Sequence, residues 1–210
     1  YGARGSGGTQ TSALHFGGTP PLTDKTESWN GTSWSEVADL NTARYNLSGA
    51  GADNTSALAF GGIYPPGQDQ KTVEDWNGTC WSETTDMNTA RQGLAGFGIK
   101  TSALATTGET PSARVSITEL WNGSGWTEVA DTNANRNGAG SCGVDNTAGL
   151  IFGGFQQSPV DSNVGKTELW NGTSWSEQAD LSGPVYFQGQ AGAGTSAAAI
   201  SFGGEGSSNQ

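Results

Sequence analysis

A tetrapeptide, Trp-Asn-Gly followed by Thr or Ser, occurs four times in this chain, and a longer pattern recurs with it. The copies begin at Trp29, Trp76, Trp121 and Trp170, and a second tryptophan stands five residues after each of them. All eight tryptophans therefore belong to one repeat of about 45 residues. A fixed period of this length is typical of solenoids, propellers and repeat arrays, so the repeat constrains the fold more than any local feature does.

A second recurring segment alternates with the first. One copy is Thr55 to Gly62, and the others begin at Thr11, Thr101, Thr147 and Thr195. Five copies of this segment thus accompany four copies of the tryptophan segment. We predict a single domain over residues 1–210, with repeat units at approximately 1–44, 45–91, 92–136 and 137–185 and a half unit at 186–204.

Each unit is predicted to contain four short strands, which we call a, b, c and d. The patterns place strand a at residues 47–52, strand b at 56–60, strand c at 26–29 and strand d at 34–37. Asn-Gly between c and d favours a hairpin, because both residues tolerate the positive φ of a tight turn. Apolar residues make up only 33% of the chain and there are 34 glycines, but the strict order of the repeat argues against disorder.

Residue size predicts how the strands are arranged. In a β-propeller the strands near the axis need small side chains and the outer strands need large ones. Strand a is rich in Gly and Ala, whereas c and d carry tryptophan, so the order from axis to rim should be a, b, c, d. We predict an all-β fold, a β-propeller of four-stranded blades, with every tryptophan between blades or at the rim.

The unequal numbers of the two segments bear on how many blades there are. Five a–b hairpins and four c–d hairpins favour five blades, the last of which lacks its outer strands; a four-bladed ring with a spare hairpin is the alternative. The edge left open after Gly204 is expected to recruit partner strands, because unpaired strand edges do so.

The motif order resembles that of the kelch repeat. A diglycine closes an apolar strand at Gly61-Gly62, an aromatic residue and a second tryptophan follow as at Trp29 and Trp34, and Arg44 precedes the next unit. The resemblance implies a kelch-type β-propeller of four-stranded, kelch-like blades. The chain departs from the family in carrying Trp where kelch repeats usually have Tyr.

Two further positions depart from the kelch pattern, since Thr107-Gly108 replaces one diglycine and Val185 replaces the last arginine. The hexapeptide Trp-Asn-Gly-Thr-Ser-Trp also resembles motifs of repeat proteins encoded by marine bacteriophages, where such arrays occur in presumed virion or fibre proteins. That resemblance implies an extracellular or virion-associated location.

Composition argues against several functions. The net charge is −11 and the nine Lys and Arg residues are scattered, which argues against nucleic acid, since phosphate binding needs clustered cations. No apolar run approaches the roughly 18 residues of a membrane span. The single histidine, His15, falls inside strand b, which argues against a Ser/His/Asp arrangement or a histidine metal site and favours a packing role.

The carboxylates of the repeat are predicted to be structural. A pair of catalytic acids would have to be singular, whereas these recur in every unit, so we expect them to pair with Lys25, Arg44 and backbone amides. They are Glu27, Glu74, Glu119 and Glu168, and Asp39, Asp86, Asp131 and Asp180. We therefore predict no enzymatic activity, no cofactor and no metal.

Function is expected where the units differ, because a repeated residue serves the scaffold. The b–c loops differ most, at residues 19–24, 63–70, 109–115 and 155–165, and strand direction places them on one face with the d–a turns. Their aromatic, amide and charged groups suit a protein surface or a sugar. The candidate ligand-binding residues are Tyr64, Pro65, Gln68, Asp69, Arg114, Phe155, Gln156 and Asp161.

The sequence thus predicts a non-enzymatic binding or assembly module whose partner, a protein or a carbohydrate, binds the b–c loop face. A glycan-binding lectin is the alternative, and a hydrolase or oxidase like some kelch-type enzymes is a more distant one. Solvated loops without any ligand would explain the same composition.

Overall fold

The computed structural model describes residues 5–156, 162–186, 191–203 and 205–206. This part of the chain is all-β and contains no helix, as the sequence predicts. Four antiparallel sheets of four strands each contain most of its strand residues. Each of these sheets corresponds to one repeat unit.

The strands are numbered in chain order and grouped here by sheet. The first sheet contains β1 (Gly5–Thr9), β2 (Ser12–Phe16), β3 (Thr26–Trp29) and β4 (Trp34–Val37). The second contains β5 (Ser48–Asp53), β6 (Ser56–Phe60), β9 (Val73–Trp76) and β10 (Trp81–Glu83). The third contains β11 (Ala95–Ile99), β12 (Ser102–Thr106), β13 (Thr118–Trp121) and β14 (Trp126–Glu128). The fourth contains β16 (Gly140–Asp145), β17 (Ala148–Phe152), β20 (Thr167–Trp170) and β21 (Trp175–Glu177).

Smaller sheets complete the described chain. A fifth repeat contributes the hairpin β23 (Ala191–Thr195) and β24 (Ala198–Phe202). The loops add β7 (Ile63–Tyr64) with β8 (Gln68–Asp69), and β15 (Arg136–Asn137) with β18 (Phe155–Gln156) and β19 (Ser162–Asn163). Near the end, β22 (Val185–Tyr186) pairs with β25 (Glu205–Gly206).

The order of strands within each complete sheet is a, b, c, d, as predicted. Across sheets, the a strands pack against one another in the sequence β1, β5, β11, β16 and β23. Only small residues allow this approach, since a Cβ built on Gly7 of β1 would lie 2.9 Å from the backbone N of Gly51 in β5. The a strands thus form a row, and within the described residues that row does not close into a ring.

Neighbouring sheets bury two different faces against each other. In β2, Leu14 and Phe16 point to one side, which we call the phenylalanine face, because side chains alternate along a strand. The opposite side of the next sheet carries tryptophans such as Trp76 and Trp81, and we call it the tryptophan face. The ring of Phe16 meets Trp81 edge-on, with ring centroids 4.9 Å apart. The second and third sheets repeat the contact through Phe60 and Trp126, at 5.4 Å.

A buried ion pair crosses each of these interfaces. Arg44 follows the first sheet, and its guanidinium N lies 3.1 Å from Glu74 Oε1 on the tryptophan face of the second sheet, with both side chains fully buried. The guanidinium also donates to the carbonyl oxygen of Thr72 at 3.0 Å. Burial lowers the pKa of Arg44, and the charge of Glu74 opposes that shift. The equivalent pairs are Arg91–Glu119 and Arg136–Glu168.

The structural role predicted for the repeated glutamates is thus confirmed in three units, but not in the first. Glu27 is exposed, and none of the described arginines pairs with it. The sequence predicts that every tryptophan lies between blades or at the rim; Trp81 is buried between two sheets at 5% exposure, whereas Trp34, in the outer strand of the first sheet, is 50% exposed. Glu27 and Trp34 lie on the tryptophan face of the first sheet, which none of the other described sheets covers.

The c–d hairpins are built differently from the tight turn that Asn-Gly predicts. Trp76 pairs with Trp81, so the loop between them has four residues, 77–80. Gly78 takes a positive φ of 91°, but Asn77 does not take a positive φ. Instead, the Asn77 Oδ1 atom accepts hydrogen bonds from the backbone N–H groups of Thr79 and Cys80, at 2.9 and 3.0 Å. The asparagine closes the loop through its side chain.

Candidate functional site

The b–c loop of the second unit meets the d–a turn of the first, as the direction of the strands predicts. Residues 63–70 form the small hairpin β7–β8, which bridges back to Tyr45 through Ile63. Tyr64 at the hairpin's end is 42% exposed, and Gln68 opposite it is exposed. A shallow cleft of about 470 Å³ lies there, and its lining is Asn41, Thr42, Ala43, Tyr64, Gln68 and Gln70.

The loops of the third and fourth units meet in a second group. The guanidinium carbon of Arg114 lies 4.3 Å from the centroid of the Phe155 ring, a cation–π contact between residues of different units. Beside them, the Asn137 side chain donates to Glu109 Oε2 at 2.6 Å. Glu109 also bridges to Arg114 through the backbone. Arg114 and Phe155, both predicted as ligand-binding residues, are therefore brought together.

Asp69 lies between the two groups. Burial raises the pKa of its carboxyl group, and the negative charge of Glu109 in the next loop raises it further. The two loops are joined through the d–a turns, since Tyr45 bridges to Ile63, the side-chain amide of Asn46 donates to Gln92 Oε1 at 3.0 Å, and Gln92 bridges to Glu109. We call this surface, from Tyr64 through Asp69 and Glu109 to Phe155, the loop face.

The loop face contains more strand structure than the sequence predicts. Tyr64, Phe155 and Arg114 were expected to lie outside strands, and this is wrong for the first two, which belong to β7 and β18. Gln68 and Asp69 form β8 and Gln156 lies in β18, while Pro65 is exposed beside Tyr64. The remaining candidate, Asp161, lies outside the described residues.

The sequence places the d–a turns on this face but does not identify Asn41 as a residue that lines the cleft. Asn41 belongs to the repeated Asn-Thr-Ala-Arg motif, and repeated residues were assigned to the scaffold. Asn41 does serve the scaffold, since its backbone N–H and its side-chain amide donate to Glu74 Oε2 at 2.7 and 2.9 Å. The signal that would have found it is position, because strand direction puts every d–a turn beside a b–c loop.

The loop face offers the aromatic rings of Tyr64 and Phe155, side-chain amides, carboxylates and the guanidinium of Arg114, which suit hydrogen bonding and stacking. His15 lies elsewhere, in β2, where its ring meets Trp34 edge-on at a centroid distance of 6.3 Å. Within the described ranges, no three His, Cys, Asp or Glu side chains converge as a metal site requires.

The comparisons with known proteins add no family to this description. No protein-family model and no curated protein matches the chain. The described residues also include no helix that is long and apolar enough to cross a membrane.

Proposed function

We propose that this protein is a non-enzymatic binding or assembly module, built as an open, kelch-like β-propeller of four-stranded blades, that uses the loop face to hold its partner. One observation carries the proposal. The repeated charged residues, such as Arg44 and Glu74, form ion pairs that are buried between the sheets. The residues that differ between units, such as Tyr64 and Arg114, lie on the loop face.

The proposed partner is a protein or a carbohydrate. An exposed ring at the centre of a contact, surrounded by polar groups, is typical of protein recognition sites. The resemblance to phage-encoded repeats supports a role in a virion, a fibre or another extracellular structure. The number of blades in the proposed propeller is five, the fifth being represented by β23–β24.

A glycan-binding lectin is the second candidate, and the cleft favours it. Tyr64 offers a planar face, and Asn41, Gln68 and Gln70, which carry side-chain amides, line the same cleft. Sugars bind to such sites by stacking on the ring and by hydrogen bonding to the amides. A cleft of this kind would select a small polar ligand rather than a flat protein surface.

Binding to an immobilised glycan array tests the second candidate directly. The wild type is compared with Tyr64→Ala, which removes the stacking ring, and with Thr79→Ala in a c–d loop, which serves as the matched surface control. If the lectin proposal holds, Tyr64→Ala loses binding at least tenfold while Thr79→Ala binds as the wild type does.

An array without binding, or loss through Thr79→Ala alone, would contradict the lectin candidate. The wider proposal is then tested by crosslinking the wild type and Arg114→Ala to candidate surface proteins of the source. Capture of a defined partner that is lost in Arg114→Ala supports it; capture that survives removal of both Tyr64 and Arg114 contradicts a site on the loop face.

A further inference from the structure

The first sheet leaves open one half of an interface that the chain forms repeatedly within itself. In the second sheet, the tryptophan face is covered by the first sheet, and Trp76 and Trp81 are buried. The equivalent residues of the first sheet, Trp29 and Trp34, are half-buried and exposed, respectively. Glu27 is exposed on the same face, whereas the equivalent Glu74 is fully buried.

The last described sheet leaves open the other half. In β24, Ile200 and Phe202 occupy the positions of Leu14 and Phe16 in β2. Ile200 is 62% exposed and Phe202 is 53% exposed, whereas Leu14 and Phe16 are both fully buried. The phenylalanine face of β23–β24 is therefore uncovered.

The two open faces are complementary, because equivalent faces of neighbouring sheets pack against each other within the chain. The first two internal interfaces bring a phenylalanine face onto a tryptophan face, and the contact recurs in them with nearly the same ring geometry, at 4.9 and 5.4 Å. Phe202 and Trp34 are equivalent to Phe16 and Trp81, which contact each other. Phe202 and Trp34, however, lie at opposite ends of the row of sheets. An exposed apolar face with a repeat-encoded counterpart on the same molecule invites a head-to-tail contact.

We propose that the chain assembles head to tail with a second copy of itself, the phenylalanine face of β23–β24 in one copy covering the tryptophan face of β1–β4 in the next. The contact continues the internal interface across a molecular boundary. Because it joins two different faces, each added copy leaves one face of each kind free, so assembly extends to longer chains or closes into a ring. The inference does not depend on any ligand of the loop face.

The contact between copies is weaker than the internal ones. At an internal interface, Trp81 Nε1 also donates to Thr26 Oγ1 in strand c of the preceding sheet, at 2.9 Å. The described fifth sheet has two strands, β23 and β24, and offers no equivalent of Thr26 or of Arg44. An interface of this reduced size is expected to associate reversibly, at about 10 to 500 μM protein.

Sedimentation velocity from about 5 to 500 μM tests the proposal on the wild-type chain. The mean sedimentation coefficient should rise with concentration and should not level off at that of a dimer. Higher salt should strengthen association, because each copy carries a net charge of −11 and salt screens the repulsion between copies.

Two variants identify the faces. Trp34→Ala removes the tryptophan face and keeps the phenylalanine face, while Phe202→Ser does the reverse. Each should stay monomeric alone, and an equimolar mixture should form a heterodimer and nothing larger, because only one productive contact remains. Tyr64→Ala, an exposed ring on the loop face, is the matched control and should assemble as the wild type does.

The melting midpoints of Trp34→Ala and Phe202→Ser show whether each variant is folded, and Ile200→Ser replaces Phe202→Ser if the latter is not. A wild type that is monomeric at every concentration overturns the proposal. If Trp34 in that monomer is also shielded from acrylamide quenching, the two ends close on each other within one chain instead. Variants that still self-associate, or a mixture that does not form heterodimers, overturn it as well.

Discussion

At the scale of single residues, the repeat provides its own controls, because equivalent positions differ in whether a neighbouring sheet covers them. Trp81 and Trp34 occupy the same place in adjacent units and differ tenfold in exposed fraction, at 5% and 50%. A repeat pattern identifies such positions but contains no information about whether a neighbour is present. The sequence therefore does not predict that Trp81 is buried while Trp34 is half exposed.

Trp81→Ala is expected to destabilise the fold by about 3 to 5 kcal/mol, the usual cost of emptying a buried aromatic site. Trp34→Ala should cost about half of that or less, because half of the side chain is already in water. Chemical denaturation of the monomeric proteins at low concentration measures both. Equal losses in the two variants would show that the first sheet is covered in solution.

Glu74→Gln is expected to destabilise by about 3 to 5 kcal/mol, because it leaves the buried charge of Arg44 without its partner. Glu27→Gln is the matched control at the equivalent, exposed position and should change stability by less than about 0.5 kcal/mol. Urea unfolding of both variants at neutral pH gives the comparison. A Glu74→Gln variant as stable as the wild type would mean that the hydrogen bonds from Arg44 to backbone carbonyls are sufficient.

At the scale of strands and loops, the regular elements were predictable and the loop strands were not. Strands b, c and d of the first units begin and end where the pattern places them, and strand a of the second unit is shifted by one residue, to Ser48–Asp53. The two-residue strands β7 and β15 carry no local signal, because pairing with a distant segment creates them. Ile63, for example, pairs with Tyr45 of the d–a turn.

In the third unit, a phenylalanine in strand a replaces the one that strand b lacks, and the repeat pattern of the sequence does not reveal this. Thr106 stands where other units have phenylalanine, and its hydroxyl shares a hydrogen bond with Thr118 at 2.8 Å. Phe97, from strand a, fills the space instead, and a Cβ on Gly143 or Gly149 of the next sheet would collide with its ring. The substitution, the replacement ring and the glycines form one packing unit across two sheets.

The c–d loop provides a test at this scale. Asn77→Ala is expected to destabilise by about 1 to 2 kcal/mol, because the backbone N–H groups of Thr79 and Cys80 lose their acceptor. Asn77→Asp keeps an oxygen in the same place and should stay within about 0.5 kcal/mol of the wild type. Thermal melts of the two variants distinguish this closure from a turn held by Gly78 alone, in which case both substitutions would be neutral.

At the scale of the whole molecule, the stability of each sheet should depend on how many of its faces are covered. In a repeat array each unit contacts only its neighbours, so stability is close to a sum of intrinsic and interface terms. Among the described sheets, the second and third are covered on both faces, the first has no neighbour on its tryptophan face, and β23–β24 has none on its phenylalanine face. The array should therefore fray from its ends.

Native-state hydrogen exchange resolves this gradient. Amides of β6 and β12, in sheets covered on both faces, should exchange at least about 100-fold more slowly than those of β24, a difference of about 2.7 kcal/mol in opening free energy. Raising the protein concentration should slow exchange in β24 and in β2 together, because head-to-tail contact covers both open faces, while β12 should not change. In Phe202→Ser the concentration effect should vanish from both strands at once. Uniform protection along the chain would instead indicate one cooperative body with no open ends, and slowing in β24 without slowing in β2 would mean that the two faces do not meet.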